Sequence, residues 1–331
     1  MVDTDWLDKP YYSLNAYFKH TYGQKIYKIA VNAGLTCPNR DGTLDRRGCI
    51  FCSAGGSGDF AVDIGNEVYH KEYEGCEKNN RKILDVSRQI ERGMAKFNKR
   101  VGEKFVIYFQ AYTNTYGDVN YLRTIWEEAL MHDLVVGISI ATRPDCLGEE
   151  ILDVLSDLKK IHSDKFIWIE LGLQTIHEAS AVYIRRHYAL GVYEQAVLKL
   201  NKLDIPFITH VILGLPGETK DMMLDTIRYV NFFGNPFGIK LQLLHVLKGT
   251  ELASDYLKGA FEVLSQEDYV DIVIECLRNL SSKIVVHRVT GDGPKSLLVA
   301  PVWSANKRGV LNALHSKMKQ INARQGDKFN T

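Results

Sequence analysis

Three cysteines carry the most distinctive chemistry of this chain. Cys37 stands alone, and eleven residues separate it from Cys49 and Cys52, which lie in the string CIFC. Structural zinc sites take four ligands, and ordinary iron–sulfur clusters take four cysteines. A set of three therefore fits a cluster in which one iron remains open to a ligand from outside the protein. The glycine-rich string GGSGDF that follows lacks the Gly-Lys-Ser/Thr ending of a phosphate loop, so we expect it to be a loop near the cluster.

A zinc site is the main alternative for the same three cysteines. Zinc spacing usually pairs CxxC with a second CxxC or with two histidines, and the sequence completes neither pattern, since His70 is a lone histidine downstream. The remaining cysteines, Cys76, Cys146 and Cys276, lie far apart and are more typical of small buried apolar residues. In this alternative the chain would be a non-catalytic, zinc-dependent RNA-binding module.

Composition places the chain among globular proteins. Its 331 residues are 45% hydrophobic and 24% charged, which suits one α/β barrel with appendages and argues against disorder. No apolar run approaches the roughly 18 residues of a membrane span. The start, MVDTDWLDKPYYSL, lacks the basic residues and apolar stretch of a secretory signal. We therefore expect a cytoplasmic protein without a membrane partner.

The charge is unevenly distributed along the chain. The net charge is only +1, yet residues 278–331 hold ten Lys and Arg against two acids, while the preceding residues hold 31 basic and 38 acidic side chains. A basic element on an acidic body favours a polyanionic partner. The alternative is a solvated helical face in the string KRGVLNALHSKMKQINAR.

Periodicity predicts alternating strands and helices. Short β-branched runs occur at 25–33, 105–111, 135–142, 166–174, 207–215 and 238–246, and helical patterns occur near 81–99, 119–132, 147–160, 176–203 and 219–232. Thr175 and Glu178 form a capping-box pattern at one helix start. Parallel βαβ units of this kind form a barrel or a doubly wound sheet, whose active site lies at the carboxyl ends of the strands. We predict an N-terminal extension over 1–24, a barrel over 25–250 and a basic C-terminal element over 251–331.

Several longer strings resemble one enzyme family closely. TCPNRDGT, GCIFCSAGGSGDF, YFQAYTNTY and HRVTGDGPK, together with the aromatic Phe51 just before the last cysteine, resemble the radical SAM superfamily. The long gap after Cys37 is similar to the YhcC/YtqA type, which is related to the catalytic subunit of elongator but lacks its acetyltransferase domain. The resemblance implies a partial (β/α)6 TIM-like barrel. It also implies a [4Fe-4S] cluster on Cys37, Cys49 and Cys52, with S-adenosylmethionine (SAM) on the open iron.

The same resemblance implies contacts to SAM at the strand ends. The loop QAYTNTYG would bind the amino group of SAM, Glu170 and Gln174 its ribose, and Arg186 its carboxylate. The strings HVILGLPGET and LQLLHVLKGTEL would contact the adenine. The implied cofactor-binding residues are Phe51, Gln110, Tyr112, Asn114, Glu170, Gln174, Arg186, Gly214, His245 and Val246.

Some of these residues also admit a structural interpretation. Asn114 would stabilise a turn together with Thr113, and His245 would be a hydrogen-bonded core histidine. Glu170 lies inside a predicted strand, where a charge needs a partner, so it would pair with a neighbouring basic strand. Those alternatives stay open from the sequence.

The substrate side is less specific. Polar groups near strand ends include Arg143, His210 and Gln242, and the string HRVTGDGPK offers the residues that we predict for substrate binding, His287, Arg288, Asp292 and Lys295. No residue is predicted as catalytic. The resemblance implies reductive cleavage of SAM to a 5′-deoxyadenosyl radical that acts on the wobble uridine of tRNA, converting its carboxymethylaminomethyl form to the aminomethyl form. A reductant such as flavodoxin or ferredoxin and a downstream methyltransferase would be partners. A radical SAM enzyme acting on a small metabolite is the alternative.

Overall fold

The computed structural model describes residues 6–7, 9–56, 70–71, 83–97, 103–291, 293 and 295–329. Its strands are β1 Tyr27–Val31, β2 His70–Lys71, β3 Ile83–Leu84, β4 Phe105–Phe109, β5 Val135–Thr142, β6 Phe166–Gln174, β7 Phe207–Leu213, β8 Gly238–Leu243, β9 Val246–Leu247, β10 Val285–Arg288 and β11 Leu298–Ala300. Its α-helices are α1 Leu14–Tyr22, α2 Val86–Ala95, α3 Val119–Leu130, α4 Glu149–Ile161, α5 Glu178–Tyr183, α6 Leu190–Lys202, α7 Lys220–Phe232, α8 Glu251–Leu257, α9 Gln266–Asn279 and α10 Lys307–Gln320. Short 3₁₀ turns cover Pro144–Cys146 and Val302–Ala305.

Seven parallel strands form one curled sheet in the order β1-β4-β5-β6-β7-β8-β10. The six strands predicted from periodicity are all present, and helices follow them as expected. Since β1 and β10 lie at opposite edges, the sheet is an open half-barrel within the part of the chain that is described. This confirms the predicted α/β partial barrel. Two antiparallel pairs, β2 with β3 and β9 with β11, lie outside the main sheet.

The seventh strand comes from the predicted C-terminal element. β10 pairs in parallel with β8, placing Val285 opposite Gly238. On its other side, the backbone N–H of Val286 donates to the carbonyl of Tyr12 at 2.8 Å. The N-terminal segment thus covers part of a sheet edge that would otherwise expose unpaired backbone groups. Both appendages are therefore joined to the sheet by backbone hydrogen bonds.

Helix α1 closes the amino-terminal end of the barrel. Ser13 caps the helix by accepting a hydrogen bond from the N–H of Ala16, and Gly23 ends it in the left-handed conformation. Phe18 is 2% exposed and stacks on Trp168 of β6 with 5.9 Å between ring centres. Around these rings lie apolar side chains from the starts of neighbouring strands, including Val106. The barrel is therefore closed at this end, and its opposite end is available for a site.

The predicted capping box at Thr175 is wrong. Helix α5 begins at Glu178 with His177 as the residue before it. The hydroxyl of Thr175 instead donates to Glu218 at 2.6 Å and accepts from the N–H of His177. A long-range partner thus replaced the local one.

None of the described helices combines the length and the apolar character needed to cross a bilayer.

Candidate functional site

A cavity of about 250 Å³ opens at the carboxyl ends of the strands. The three cysteines Cys37, Cys49 and Cys52 line one side of it. Most of the residues predicted to bind SAM, and one of those predicted to bind substrate, line the same cavity: Phe51, Gln110, Tyr112, Glu170, Gln174, Arg186, His245 and Arg288. The structure therefore brings the sequence motifs together, although their roles stay predictions.

Hydrogen bonds fold the cysteine segment into a fixed loop. The N–H of Gly48 donates to the carbonyl of Asn39 at 2.7 Å, which joins the two ends of the long gap. The side-chain amide of the fully buried Asn39 donates to the carbonyl of Arg185 at 2.9 Å and lies 3.4 Å from the sulfur of Cys49. Asn39 thus orients one thiol with a donor. Such N–H donors to sulfur are one of the means by which proteins tune iron–sulfur potentials.

A tyrosine from the β4 loop braces the same segment. The backbone of Tyr112 is in the left-handed region, with φ +62°. Its N–H donates to the carbonyl of Gly56 at 2.8 Å, and its hydroxyl donates to the carbonyl of Ala54 at 2.6 Å. A Cβ on Gly56 would lie 2.2 Å from the tyrosine ring, so only glycine permits this approach. Arg40 lies over the ring at 5.8 Å and donates to the carbonyl of Cys52 at 2.8 Å. The brace fixes the downstream side of the loop.

The donor set fits an iron–sulfur cluster. Burial raises the pKa of the Cys49 thiol, and burial together with the nearby Cys49 raises the pKa of Cys52 to about 12, so a bound metal is needed to hold these groups as thiolates. No three His, Cys, Asp or Glu side chains among the described residues converge on one point that could hold a single metal ion. A cubane needs no such convergence, because each thiolate binds a different iron. Cys37, Cys49 and Cys52 would hold it.

Arg186 holds backbone at the end of β6. It is 2% exposed, and its guanidinium donates to the carbonyls of Leu173 and Thr175 at 3.0 and 2.6 Å and to that of Tyr188 at 3.0 Å. These bonds fix the strand end where Gln174 adopts φ +67° with its amide oxygen buried and without a hydrogen-bond partner. The guanidinium predicted to bind the SAM carboxylate is therefore mostly committed to carbonyls. Gln174 is left with an acceptor at the cavity wall.

Five predicted site residues lie away from the cavity lining. Asn114 is fully buried, and its backbone and side-chain N–H groups both donate to the carbonyl of Ala141, so it joins the loop after β4 to β5. His287 is in the aromatic core, 5.3 Å from the ring of Trp168, where burial lowers its pKa well below the usual value. The other three are Gly214, in the turn after β7, Val246, buried in β9, and Lys295, exposed on the surface. Asp292 and Cys76 lie outside the described residues.

Glu170 is the centre of a charged layer inside the barrel. Its carboxylate accepts from Lys28 at 2.9 Å, from Ser139 at 2.6 Å, from His210 at 2.8 Å and from Lys240. We call Lys28, Glu170, His210 and Lys240 the inner charged layer. Burial alone would raise the pKa of Glu170, but Lys240 and then Lys28 outweigh it and hold that pKa well below the usual range. Glu170 thus has the charged partners that a buried carboxylate needs, but its two lysines come from β1 and β8 and not from the strands that flank β6. Its contact to the SAM ribose stays a prediction.

Sequence reasoning missed both lysines of this layer, and it also missed Arg40. Lys240 interrupts the apolar string GIKLQLL, so the reasoning that marked Glu170 as a charge inside a strand applies equally to it. Lys28 lies in β1 and is 22% exposed at its side chain, a position that alternation alone does not distinguish. Nothing local marks Arg40, whose partners lie twelve and thirteen residues downstream.

Comparisons with known proteins agree with this architecture. Residues 37–230 match the Radical SAM superfamily, and residues 236–320 match the Radical_SAM C-terminal domain. YtqA of Bacillus subtilis is 41% identical over 322 residues, which are 97% of this chain and 94% of that protein. YhcC of Escherichia coli K12 is 32% identical over 286 residues, 86% of this chain and 85% of that protein.

More distant relatives match part of their own length. The tRNA uridine(34) acetyltransferase of Methanocaldococcus jannaschii is 25% identical over 175 residues, covering 52% of this chain and 31% of that protein. The solved structure of Elp3 from Methanocaldococcus infernus has a TM-score of 0.64 at 16% identity and covers 91% of this chain and 64% of its own chain. At that identity the likeness shows the shared fold.

The superfamily match covers more than half of the chain and begins at the first cysteine of the cluster loop. Enzymes of this superfamily use a [4Fe-4S] cluster and SAM, the two groups that the three-cysteine loop was predicted to hold, and this disfavours the zinc alternative. The chain therefore belongs to the radical SAM superfamily, as an enzyme of the YhcC/YtqA type.

Proposed function

We propose that this radical SAM enzyme modifies the wobble uridine of tRNA, at the step from the carboxymethylaminomethyl to the aminomethyl form. The observation that carries the proposal is the shared cavity, which leads from the three cysteines at the strand ends to the polar floor inside the barrel. A nucleobase is a small, flat group that an enzyme can take out of its stack and place in such a cavity. When bound, the cluster and SAM supply a 5′-deoxyadenosyl radical for hydrogen abstraction from carbon.

The chain's own residues provide positioning and shielding in this proposal. Asn39, Arg40 and Tyr112 fix the loop that would hold the cluster, while Arg186 fixes the end of β6. Phe51 lines the cavity and belongs with the apolar residues around Ile50, so it keeps water from one wall. The chemistry of a cofactor enzyme depends on such orientation and exclusion of water.

Relatives support the choice of tRNA. One of them is named as a tRNA uridine(34) acetyltransferase, and its match covers 52% of this chain. We take from this relative only the tRNA uridine as the substrate. We do not propose acetyl transfer, because this chain covers only 31% of that protein. A radical SAM enzyme acting on a small metabolite would share the cavity but would not need a surface for RNA.

The C-terminal helix supplies a modest basic surface. Lys307, Arg308 and Lys319 of α10 are exposed, and phosphate contacts from such residues provide most of the non-specific affinity for nucleic acid. Lys317 instead binds Asp271 of α9 at 2.6 Å. Other basic residues of the tail also pair with acids, such as Lys328 and Arg278, so the surface charge is smaller than the sequence count.

Two measurements test the proposal. Protein reconstituted anaerobically with iron and sulfide should release 5′-deoxyadenosine from SAM on reduction by dithionite or by a flavodoxin or ferredoxin system. Cys49→Ala should abolish the release, whereas Cys276→Ala, at a buried position in α9, should preserve it. Nucleosides of tRNA from strains with and without the gene should differ at the wobble uridine, with the carboxymethylaminomethyl form accumulating in its absence. Unchanged wobble uridines, or stoichiometric zinc in colourless protein, would contradict the proposal.

A further inference from the structure

The inner charged layer forms the floor of the cavity. Its members come from four strands of the sheet, Lys28 from β1, Glu170 from β6, His210 from β7 and Lys240 from β8. Glu170, His210 and Lys240 line the cavity that the cysteines also line, and Arg288 of β10 lies beside them. Beneath the layer is the aromatic core around Trp168, whose ring lies 5.9 Å from the Lys28 ammonium. The layer is thus shielded below and reachable from above.

Positive charge exceeds negative charge in this layer when Lys240 is protonated. Glu170 is shared by two lysines, with Lys28 at one carboxylate oxygen and Lys240 at the other. Burial and the nearby Lys240 lower the pKa of His210 to about 4, so this ring is neutral and adds no charge. Arg288 adds a further positive charge that acts on Lys240 and His210. When Lys240 is protonated, the carboxylate of Glu170 therefore faces two ammonium groups within this layer, those of Lys28 and Lys240.

Lys240 is the cation best placed to meet a ligand. Lys28 already neutralises Glu170 from the side away from the cavity, since it does not line the cavity wall. The Lys240 ammonium donates to the hydroxyl of Tyr108 at 3.0 Å and to Glu170, which leaves its third N–H for another acceptor. Gln242 and Arg288 line the cavity beside it. A buried cation without full compensation is costly, so an anion that binds beside Lys240 would stabilise its ammonium form.

We propose that Lys240, with Gln242 and Arg288, forms a subsite for a carboxylate of the substrate. The layer lies deep among the strands, and the Lys240 side chain is only 4% exposed, so a small group at the end of a side arm can reach it. A phosphate of the RNA backbone would remain outside the barrel with the polymer, so it would not reach Lys240. A carboxylate is a monoanion that balances the smallest excess charge of the layer and accepts hydrogen bonds from both an ammonium and a guanidinium.

The inference rests on the proposed function for one detail, the identity of the molecule that bears the carboxylate. Carboxymethylaminomethyl uridine ends in a carboxylate, whereas aminomethyl uridine does not. The floor of the cavity should therefore bind the substrate, which has the carboxylate, more tightly than the product, which lacks it. The subsite would make Lys240 a specificity-determining residue.

The first experiment compares two tRNAs that differ only at the wobble uridine, one with the carboxymethylaminomethyl group and one with the aminomethyl group. Reconstituted wild-type enzyme should bind the first roughly ten to a hundred times more tightly at one fixed salt concentration, as expected for charge-assisted hydrogen bonds. Lys240→Met should reduce the preference to within about twofold, and Lys240→Arg should retain most of it. Lys160→Met, at an exposed lysine of α4, is the matched control and should leave the preference intact. Equal binding of the two tRNAs by the wild-type enzyme would overturn the subsite, and this arm requires no variant.

The second experiment works without tRNA. N-methylglycine and its amide, which lacks the carboxylate, are titrated into the reconstituted enzyme by calorimetry in buffers of different ionisation enthalpy. Since burial, against the opposing effect of Glu170, lowers the pKa of Lys240 to about 7, carboxylate binding should be accompanied by proton uptake near neutral pH. The amide and the Lys240→Met variant should show none. If the carboxylate binds with proton uptake but the wobble uridines of the two strains are the same, the subsite is supported and the proposed function is refuted. If the wobble uridines differ but the enzyme shows neither the tRNA preference nor the proton uptake, the proposed function is supported and the subsite is refuted.

The SAM carboxylate is the competing source of the anion. SAM affinity of the reconstituted enzyme, measured by equilibrium dialysis, should be the same for wild type and Lys240→Met. A large loss of SAM affinity with the tRNA preference intact would assign the cations to the cofactor and overturn the proposal.

Discussion

The free energy of unfolding should depend on pH through Lys240. Its ammonium is buried beside Tyr108 and Glu170, and burial, with smaller effects from Lys28 and Arg288 and against that of Glu170, lowers its pKa from 10.5 to about 7. Below about pH 7 the group is protonated in both the folded and the unfolded chain. Between the two pKa values only the unfolded chain holds the proton, so the contribution of Lys240 to stability rises with pH. The slope reaches at most about 1.4 kcal/mol per pH unit.

Urea unfolding of the cluster-free protein measures this contribution. The free energy of unfolding of wild type minus that of Lys240→Met should rise by about 2 kcal/mol between about pH 7 and pH 9. Taking the difference removes the titration of groups that both proteins share, such as the buried tyrosines. Lys160→Met, at an exposed lysine, serves as the control and should give a difference that is flat over the same range. Lys240→Gln repeats the measurement with a polar side chain if the methionine variant unfolds.

The direction of the change decides between burial and ion pairing. A difference that is flat between about pH 7 and pH 9 and falls above about pH 10 would mean that Glu170 outweighs burial and raises the pKa of Lys240 above its usual value. A difference that is flat over the whole range would mean that water reaches the ammonium in solution. Either result would refute the reasoning about a dry floor in the cavity.

Three further predictions concern other parts of the site and its support. Gly56→Ala should sharply reduce iron incorporation, because its Cβ would clash with the Tyr112 ring, whereas Gly259→Ala should leave iron content unchanged, since that glycine has a similar positive φ but open space around it. Iron and sulfide assays after reconstitution measure this. Equal losses of iron in both variants would refute the clash and assign the effect to the left-handed backbone alone, which costs a residue with a Cβ about 1–2 kcal/mol. Asn39→Ala should move the cluster potential to more negative values in a redox titration followed by electron paramagnetic resonance, because a donor to a ligand sulfur is lost; an unchanged or more positive potential would contradict this. Phe18→Ala should destabilise the protein by about 3–5 kcal/mol in urea unfolding, since it removes a buried ring from the closed end of the barrel; a loss below about 1 kcal/mol would show that α1 is not part of the core.

The strand ends could be predicted from the sequence because each is a local pattern. Apolar runs, turn residues and the CIFC string lie within a few residues of one another, and parallel βαβ order then brings their ends to one edge of the sheet. That reasoning located the cysteines, Gln110, Gln174 and His245 at one cavity. It required no knowledge of distant contacts.

The remaining features depend on partners far apart in the chain. Thr175 has a good capping sequence, yet its hydroxyl binds Glu218, forty-three residues away. Strand β10 lies in the predicted C-terminal element, but local pattern cannot say that it would pair with β8 and extend the sheet. Arg186 donates to the carbonyls of Leu173 and Thr175, and these carbonyls reach its guanidinium only because of the turn at the end of β6. Long-range geometry, which a single sequence does not state, decides each of these cases.

The order of layers within the barrel explains how charge can persist at its centre. The aromatic core with Phe18 and Trp168 seals the lower end, so the inner charged layer above it faces protein on one side and the cavity on the other. In such an environment ionic interactions are stronger than in water and an uncompensated cation is more costly. Helix α1 therefore contributes to the electrostatics of a site that it never touches. An N-terminal extension that seals the barrel and a C-terminal strand that contributes Arg288 to the cavity are thus parts of the site, although both lie outside the six predicted barrel strands.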